Sequence, residues 1–406
     1  MNIPTDHTDT NPRHFWLSGE QPERVIEFDE EIGAWQVYGH AETLRILSDP
    51  KTYSSDMMSL FAETGMVDVA ETGLTVEDMM AGNLVQMDPP DHRKLRSLVS
   101  SAFTPKVVAD LEPRIAELTH QLLAQTGSGE IELVRDLAYP LPVTVIADLL
   151  GVPASDHDKF REWAKAMGEN KNEISLNGMT DEQKRDMAEQ FDGARKMAEY
   201  IAGHAAERRR QPREDLLTKL VEAEVDGERL SDTEVTNFAS LLLLAGHITT
   251  TLLIGNTTLC LDANPAAAER VRADRALVPT AIEESLRLLT PFALLARRTT
   301  TDVTVAGQHV PANQALMLWV GAANRDAGVF TDPNTFDPAR DPNPHIAFGR
   351  GVHFCLGAPL ARLEGRIVLN ILLDRYRELR TDPANPPTFL RAWDMTGVST
   401  LPLVVT

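Results

Sequence analysis

The sequence predicts a mainly α protein with small β-sheets. Three observations carry that prediction. From Pro105 onward, helical periodicity dominates until the last third of the chain. Strand patterns are short and lie toward the two ends, near residues 25–38, 303–310 and 391–406. Between Ser231 and Leu261 a single pattern continues for about thirty residues, which as one helix is roughly 45 Å long and crosses a domain of this size.

Taken in order, residues 1–20 are polar and loosely held, and Arg24–Tyr38 reads as a strand pair turning at Glu30–Gly33. Ala41–Leu47 is a short helix that ends before Asp49 and Pro50. Tyr53–Val85 shows little periodicity and carries Met57, Met58, Met66, Met79 and Met80. A long irregular segment is often functional, and flexible thioethers serve either as core filler or as an adaptable binding surface. In Asp88-Pro-Pro-Asp-His-Arg-Lys-Leu-Arg96, Asp91 reads as an N-cap, which places His92 and Arg96 one turn apart on one helix face. Val107–Ala124 is helical and stops at Gly127–Gly129. Leu133–Leu150 is a helix interrupted near Pro140 and Pro142 and ended by Gly151-Val-Pro153. His157–Gly168 and Asp181–Arg210 are two further helices joined by the polar stretch Glu169–Thr180. Arg208, Arg209 and Arg210 read as a solvated helix end that complements the dipole.

The long helix opens with a capping box, Ser231 and Glu234. Its middle reads Ala245-Gly246-His247-Ile248-Thr249-Thr250-Thr251. Glycine is costly inside a helix, and threonine commonly bonds the carbonyl four residues earlier and bends it. Taken alone, these residues describe a close packing point. Cys260, between Leu259 and Leu261, reads as core. Ala281–Leu289 carries Glu284 and Arg287 at an i,i+3 spacing. After Pro291, Phe292–Leu295 leads to Arg297 and Arg298 and then to a hairpin over Val303–Val310. Leu316–Val320 is an apolar run into a short helix, and Asn324–Pro344 is a long ordered loop rich in Pro, Asp and Asn. Leu360–Leu379 is the last helix, and Arg391–Thr406 a turn and terminal strand from which Trp393 and Met395 reach toward a pocket.

Composition narrows the function classes. Over 406 residues, 39 basic side chains stand against 60 acidic ones, a net charge of −21. That excess repels nucleic acid and anionic membranes as partners. Two cysteines make no disulfide framework and suit a reducing compartment. The N-terminus shows no signal-peptide pattern, and the apolar run Leu241–Ile254 reads as too short to span a bilayer. The expectation is a cytoplasmic, soluble, single-domain protein over residues 1–406.

The chemistry concentrates in Phe348-Gly-Arg-Gly-Val-His-Phe-Cys-Leu-Gly357. Gly349, Gly351 and Gly357 surround Cys355 and let the backbone turn tightly, and a helix follows with Pro359 in its first turn. A helix N-terminus beside a sulfur favours the thiolate, the form that binds metal.

Phe-Gly-x-Gly-x-His-x-Cys-x-Gly resembles the haem-binding loop of the cytochrome P-450 family in its soluble bacterial form, and the resemblance covers nearly the whole chain. It implies the cytochrome P-450 fold, with haem b (iron protoporphyrin IX) between the long central helix and the Cys-loop helix. Cys355 would be the proximal thiolate ligand, which favours O–O cleavage. Phe348, Gly349, His353 and Gly357 would complete the cofactor loop. His92, Arg96 and Arg297, the last in an Arg-x-x-x-x-Asp spacing with Asp302, would hold the haem propionates, while Arg298 faces elsewhere. Ala245 and Gly246 would let the central helix pass close to haem, and Thr249 would hydrogen-bond the bound dioxygen. Glu284, Arg287 and Arg340 would form a structural network beneath the haem. The helix–loop–helix made of His157–Gly168, Glu169–Thr180 and Asp181–Arg210 would be the mobile lid over the substrate channel.

One position departs from the family pattern. Before the threonine the family normally carries Glu or Asp, and this chain has Ile248. His247 lies two residues before Thr249 and faces nearly the opposite way on a regular helix, so ordered water with a substrate hydroxyl is the expected proton relay. The Ala-Gly-His-Ile form resembles hydroxylases that tailor macrolides and other polyketides. The resemblance thus implies a monooxygenase using O2 and two electrons from a ferredoxin and its ferredoxin reductase to hydroxylate or epoxidise a hydrophobic small molecule. Leu84, Leu244, Ile248, Phe292, Leu294 and Leu295 are the candidate substrate contacts, and Arg93, Arg350, Arg362 and Arg366 the candidate ferredoxin-docking residues on the Cys355 side of a monomer. The competing readings are a peroxide-driven or non-hydroxylating haem enzyme and a haem-containing binding protein without turnover.

Overall fold

In the computed structural model, residues 10–63, 80–127, 129–156, 158–159, 162–163, 180–225 and 227–406 are described. The central helix runs over Asp232–Asp262, and its start is the expected capping box: Ser231 Oγ accepts from Glu234 N, and the Glu234 carboxylate accepts from Ser231 N. At 31 residues it is long and apolar enough to cross a membrane, contrary to the shorter run read from the sequence. More than half of its most apolar window is buried, because helices Pro140–Leu150, Asp181–Arg210, Val278–Leu288 and Ala358–Arg375 pack around it. A helix that is apolar on most of its circumference belongs inside such a bundle.

The main sheet has five strands in the order Ile26–Asp29, Ala34–Val37, Ala315–Trp319, Leu294–Thr299, Tyr53–Ser54. All neighbours are antiparallel except Ala34–Val37 against Ala315–Trp319. Leu316 lies opposite Arg297 and Leu318 opposite Leu295, which fixes which side chains of the Leu294–Thr299 strand share a face. A three-stranded sheet joins Leu379–Thr381, Pro402–Val405 and Glu130–Glu132. The hairpin falls at Val303–Val305 and Gln308–Val310, as expected.

Several elements differ from the sequence reading. Met57–Glu63 is a helix inside the stretch read as irregular, with Met57 buried. Val107–Ala124 is two helices, Pro105–Ala109 and Glu112–Ala124, the second carrying a proline in its first turn. The predicted interruption of Leu133–Leu150 is real: Tyr139 N reaches back five residues to Val134 O, and Pro140–Leu150 then starts afresh. Asp91 is the first residue of helix Asp91–Ala102 rather than its cap, which is Pro90. Arg208 is no solvated end. It is wholly buried, with Nε donating to Asp215 at 2.6 Å and Nη2 to Gly151 O at 2.8 Å, and Arg209 pairs with Asp232. Leu379 belongs to a strand, the last helix having ended at Arg375. Met66, Met79, residues 169–179 of the expected lid and most of its first helix, His157–Gly168, lie outside the described residues, while its second helix, Asp181–Arg210, is described.

Candidate active site

The Cys355 loop is held by its backbone. Gly349 and Gly351 both lie in the left-handed region, at φ +70° and +71°. A Cβ at Gly351 would sit 2.6 Å from Leu47 O, so only glycine lets the loop seat on helix His40–Ser48. Cys355 N donates to Phe348 O at 2.9 Å and closes the turn. The N–H groups of Gly357 and Ala358, at the start of helix Ala358–Arg375, donate to the sulfur. Gly357 itself has an ordinary helical φ of −81°. Burial nevertheless pushes the Cys355 thiol above its usual range, and these N–H groups, Arg96 and Arg362 offset that only in part. The helix start does favour the thiolate, as expected, but burial outweighs it. Phe348 carries the Arg362 guanidinium over its ring at 4.5 Å, and Glu283 grips Arg362 through two 2.7 Å bonds while lying 3.0 Å from His345 Nε2. Glu283 is held well down, to about 2, by Arg362 and His345 against the effect of its burial.

Beside the loop lies a cluster of nitrogen groups. His92 and Arg96 do share one face, with Arg96 Nη2 donating to Phe354 O at 2.7 Å. The His92 ring sits 4.2 Å from the His353 ring, and His353 Nε2 lies 2.9 Å from Ser55 Oγ. Arg297 enters from the sheet, buried, and donates to Ala296 O at 2.7 Å. Burial first, then the neighbouring cations, pushes His353 down to about 3; burial draws Arg297 down to about 10. Asp88 is engaged by the Ser54 hydroxyl and by Ser55 N. Among the described residues, His92, Arg96 and Arg297 make no ion pair, and both ring nitrogens of His92 are buried without a partner. Buried donors in this state call for an acceptor. Two carboxylates arriving beside Cys355 fit the cluster, and Arg forks and a His donor suit them. Arg298 points away, toward Asp56 and Glu63, as expected.

On the central helix, Thr249 Oγ1 donates to Ala245 O at 2.6 Å and Thr251 Oγ1 to His247 O at 3.1 Å. Ala245 is exposed, with Leu244, Ile248 and Thr249 half-buried around it. At Gly246 a Cβ would lie 2.9 Å from Ile146 Cδ1, so its small size serves packing against helix Pro140–Leu150, the close packing point that these residues describe by themselves. His247 is wholly buried, edge-on to Tyr139 at 4.3 Å, and burial lowers it to about 4. It is neutral and turned away from Thr249.

The other candidates divide. Phe292 is half-buried and forms a β-bridge with Met395, also half-buried. Leu84 and Leu294 are packed into the main core. Leu295 alternates onto the other face of its strand, against Val320, Ala323 and Ile346. Trp393 is core rather than pocket. Glu284 and Arg287 are fully buried and joined by two 2.8 Å bonds; Arg340 Nε, Asn343 and Asp337 N converge on the same carboxylate, and Arg287 reaches Asn324 O, Pro333 O and Thr335 O. Of the docking arginines, Arg362 and Arg366 are committed to Glu283 and Glu112, while Arg93 and Arg350 are exposed with no ion pair among the described residues. Ser55 and Glu283 were not legible: their partners lie far away in the chain, and no local spacing marks them.

The sequence model of the family described as Cytochrome P450 matches residues 13–404. The chain is 42% identical over 370 residues to erythromycin C-12 hydroxylase of Saccharopolyspora erythraea, covering 90% of this chain and 88% of that one. It is 41% identical over 367 residues to cyclomarin C epoxidase CymV of Salinispora arenicola, covering 90% and 89%. The crystal structure of a post-tailoring hydroxylase, HmtN, involved in himastatin biosynthesis superposes with a TM-score of 0.83 at 51% identity, covering 98% of each chain. With the Cys355 loop and the cation cluster beside it described, the chain belongs to the cytochrome P450 family and is a haem-dependent monooxygenase.

Proposed function

We propose that the protein hydroxylates or epoxidises a mainly apolar secondary metabolite of macrolide or other polyketide type, with electrons from a ferredoxin and its reductase. One observation carries this reading: Leu244, Ala245 and Ile248 keep free apolar surface beside the Thr249 hydroxyl, with no ionisable side chain among them. Such a wall takes up apolar surface and leaves orientation to few polar groups. The named activity of the erythromycin relative supports a macrolide substrate, and that of the cyclomarin relative supports epoxidation of a secondary metabolite.

Cys355 would ligate the haem iron and His92, Arg96 and Arg297 would hold its propionates, and the bound haem would supply the dioxygen activation. The protein's own contribution is positional. Thr249 directs its hydrogen to Ala245 O and leaves its oxygen free to accept from a water or a substrate hydroxyl in the groove. Ile248 offers no carboxylate there, and His247 is buried toward Tyr139, so protons arrive through water. Arg93 and Arg350 are exposed cations, one beside the His92–Arg96 face and one in the Cys355 loop, and would meet an acidic ferredoxin on a chain that is otherwise strongly negative.

The test begins with the carbon monoxide difference spectrum of the reduced protein and of Cys355→Ser: a strongly red-shifted Soret band in the first and none in the second. Macrolides and other polyketides are then screened for a substrate-induced spin shift, and hits are turned over with NAD(P)H, ferredoxin reductase and ferredoxin. A set of polar metabolites shifting the spin state while the apolar ones do not would overturn the substrate class. Ile248 favours one competing reading, and turnover with hydrogen peroxide but not with ferredoxin would install it.

A further inference from the structure

Asn256 lies on the central helix two turns beyond Thr249 and on nearly the same stripe, seven residues on. It is fully buried, and its amide is fully used. Nδ2 donates to Leu289 O at 2.9 Å and to Thr396 O at 3.1 Å, and Oδ1 accepts from Val398 N at 3.3 Å. The backbone groups it holds belong to two stretches that are also joined to each other. Ala293 N donates to Asp394 O at 2.8 Å, Thr396 N to Pro291 O at 2.9 Å, and Phe292 lies opposite Met395.

The surrounding glycines show how close this mooring is. A Cβ at Gly255 would lie 2.6 Å from Val398 Cγ2. One at Gly397 would lie 2.6 Å from Asn256 Oδ1 and 2.9 Å from Leu252 Cδ2. Leu252 and Asn256 therefore form the seat for residue 397, on the stripe that also carries Thr249. His14 holds the same turn from its outer side, with Nε2 2.8 Å from Trp393 O.

We propose that Asn256 is a positioning residue for substrate selection: one amide moors the two stretches that carry Phe292 and Met395 to the stripe of the central helix that leads to the Thr249 groove. The inference rests on the reading above that this groove receives the substrate. A purely structural role is the competing account, since Leu289 O is an orphan carbonyl at the end of helix Val278–Leu288 and needs a donor. That role would leave ligand selectivity unchanged.

The experiment uses two holoenzyme variants and two probes. Asn256→Asp keeps the shape and removes both donors; Gly397→Ala presses a methyl group into the same seat from the other side. Imidazole and 4-phenylimidazole are titrated by their haem spectral shifts, the first too small to feel the pocket wall and the second reaching it. Both variants are expected to keep the carbon monoxide band and to bind imidazole within twofold of wild type, while 4-phenylimidazole weakens at least tenfold. Unchanged or parallel affinities for the two probes would overturn the proposal. Should Asn256→Asp fail to fold, the result with Gly397→Ala decides alone. Loss of the imidazole shift in wild type would instead count against haem–thiolate ligation, and selectivity for the wrong metabolites would count against the substrate class without touching this ratio.

Discussion

Arg297 is a cation buried without an ion pair among the described residues, and burial has already drawn it down to about 10. His92 stands next to it with two unpartnered ring nitrogens. Each of these groups loses hydration on folding, and apart from the Arg297 Nη1 bond to Ala296 O they regain partners only when an anion arrives. Hydrogen bonds to charged groups contribute about 1.5–3 kcal/mol, so Arg297→Ala and His92→Ala should each release haem roughly ten- to a hundredfold faster. Haem transfer to excess apomyoglobin measures this, and the carbon monoxide band of the haem still bound should stay red-shifted, since Cys355 is untouched. Unaltered transfer rates in both variants would remove these residues from the propionates. The i,i+4 spacing of His92 and Arg96 put them on one helix face, but only the family resemblance of the Asp-Pro-Pro-Asp-His-x-x-x-Arg stretch pointed to propionates, since the spacing alone describes a solvated basic turn equally well. Ser55 could not be read from sequence, because nothing near it in the chain announces His353 as its partner.

At the scale of the element, the central helix shows where sequence reasoning stops. Its capping box is a local signal and was legible; Ser231→Ala should cost about 1 kcal/mol, read as a lowered midpoint of thermal unfolding. The purpose of Gly246 was not legible, because a glycine in a helix records that something comes close without saying what. The neighbour is Ile146. Gly246→Ala should therefore destabilise by about 1 kcal/mol, at the low end for overpacking because the clashing atom is the tip of a flexible side chain. Ile146→Val should restore most of that loss in the double variant, with the haem spectrum unchanged throughout. If the double variant recovers nothing and the spectrum shifts, Gly246 faces the haem after all. The same limit explains Leu295: the length of its strand was readable, but the facing of its side chains depends on pairing with Leu318.

Over the whole molecule, the longer helices were readable because each carries its own period, whereas the short helix Met57–Glu63 and the division of Val107–Ala124 were not. The sheet order was not readable either, since its parallel pair joins Ala34–Val37 to Ala315–Trp319, distant in the chain. Equally invisible was the number of polar groups locked inside: Arg208, the Glu284–Arg287 pair, and the histidines His14 and His247. The histidines give the molecule a pH dependence of definite sign. Burial lowers His14 and His247 to about 4, against an ordinary value of 6.5, so as pH falls the unfolded chain takes up these protons first. Their neutral, buried state is without penalty above about pH 6.5, and stability drains between there and pH 4, by about 1.4 kcal/mol per pH unit for each fully buried histidine. Glu283, held to about 2, loses its contribution in a lower window, from its ordinary value of 4.5 downward. The two effects therefore separate on the pH axis. The unfolding free energy of the holoenzyme, measured by denaturant titration from pH 7.5 to 4.5, should fall with a slope that His14→Gln makes shallower by about one proton's worth. An unchanged slope in that variant would mean that His14 is already protonated in the folded protein, with its ring donating to Trp393 O from one nitrogen and bearing a charge on an interior that offers no counter-ion to it.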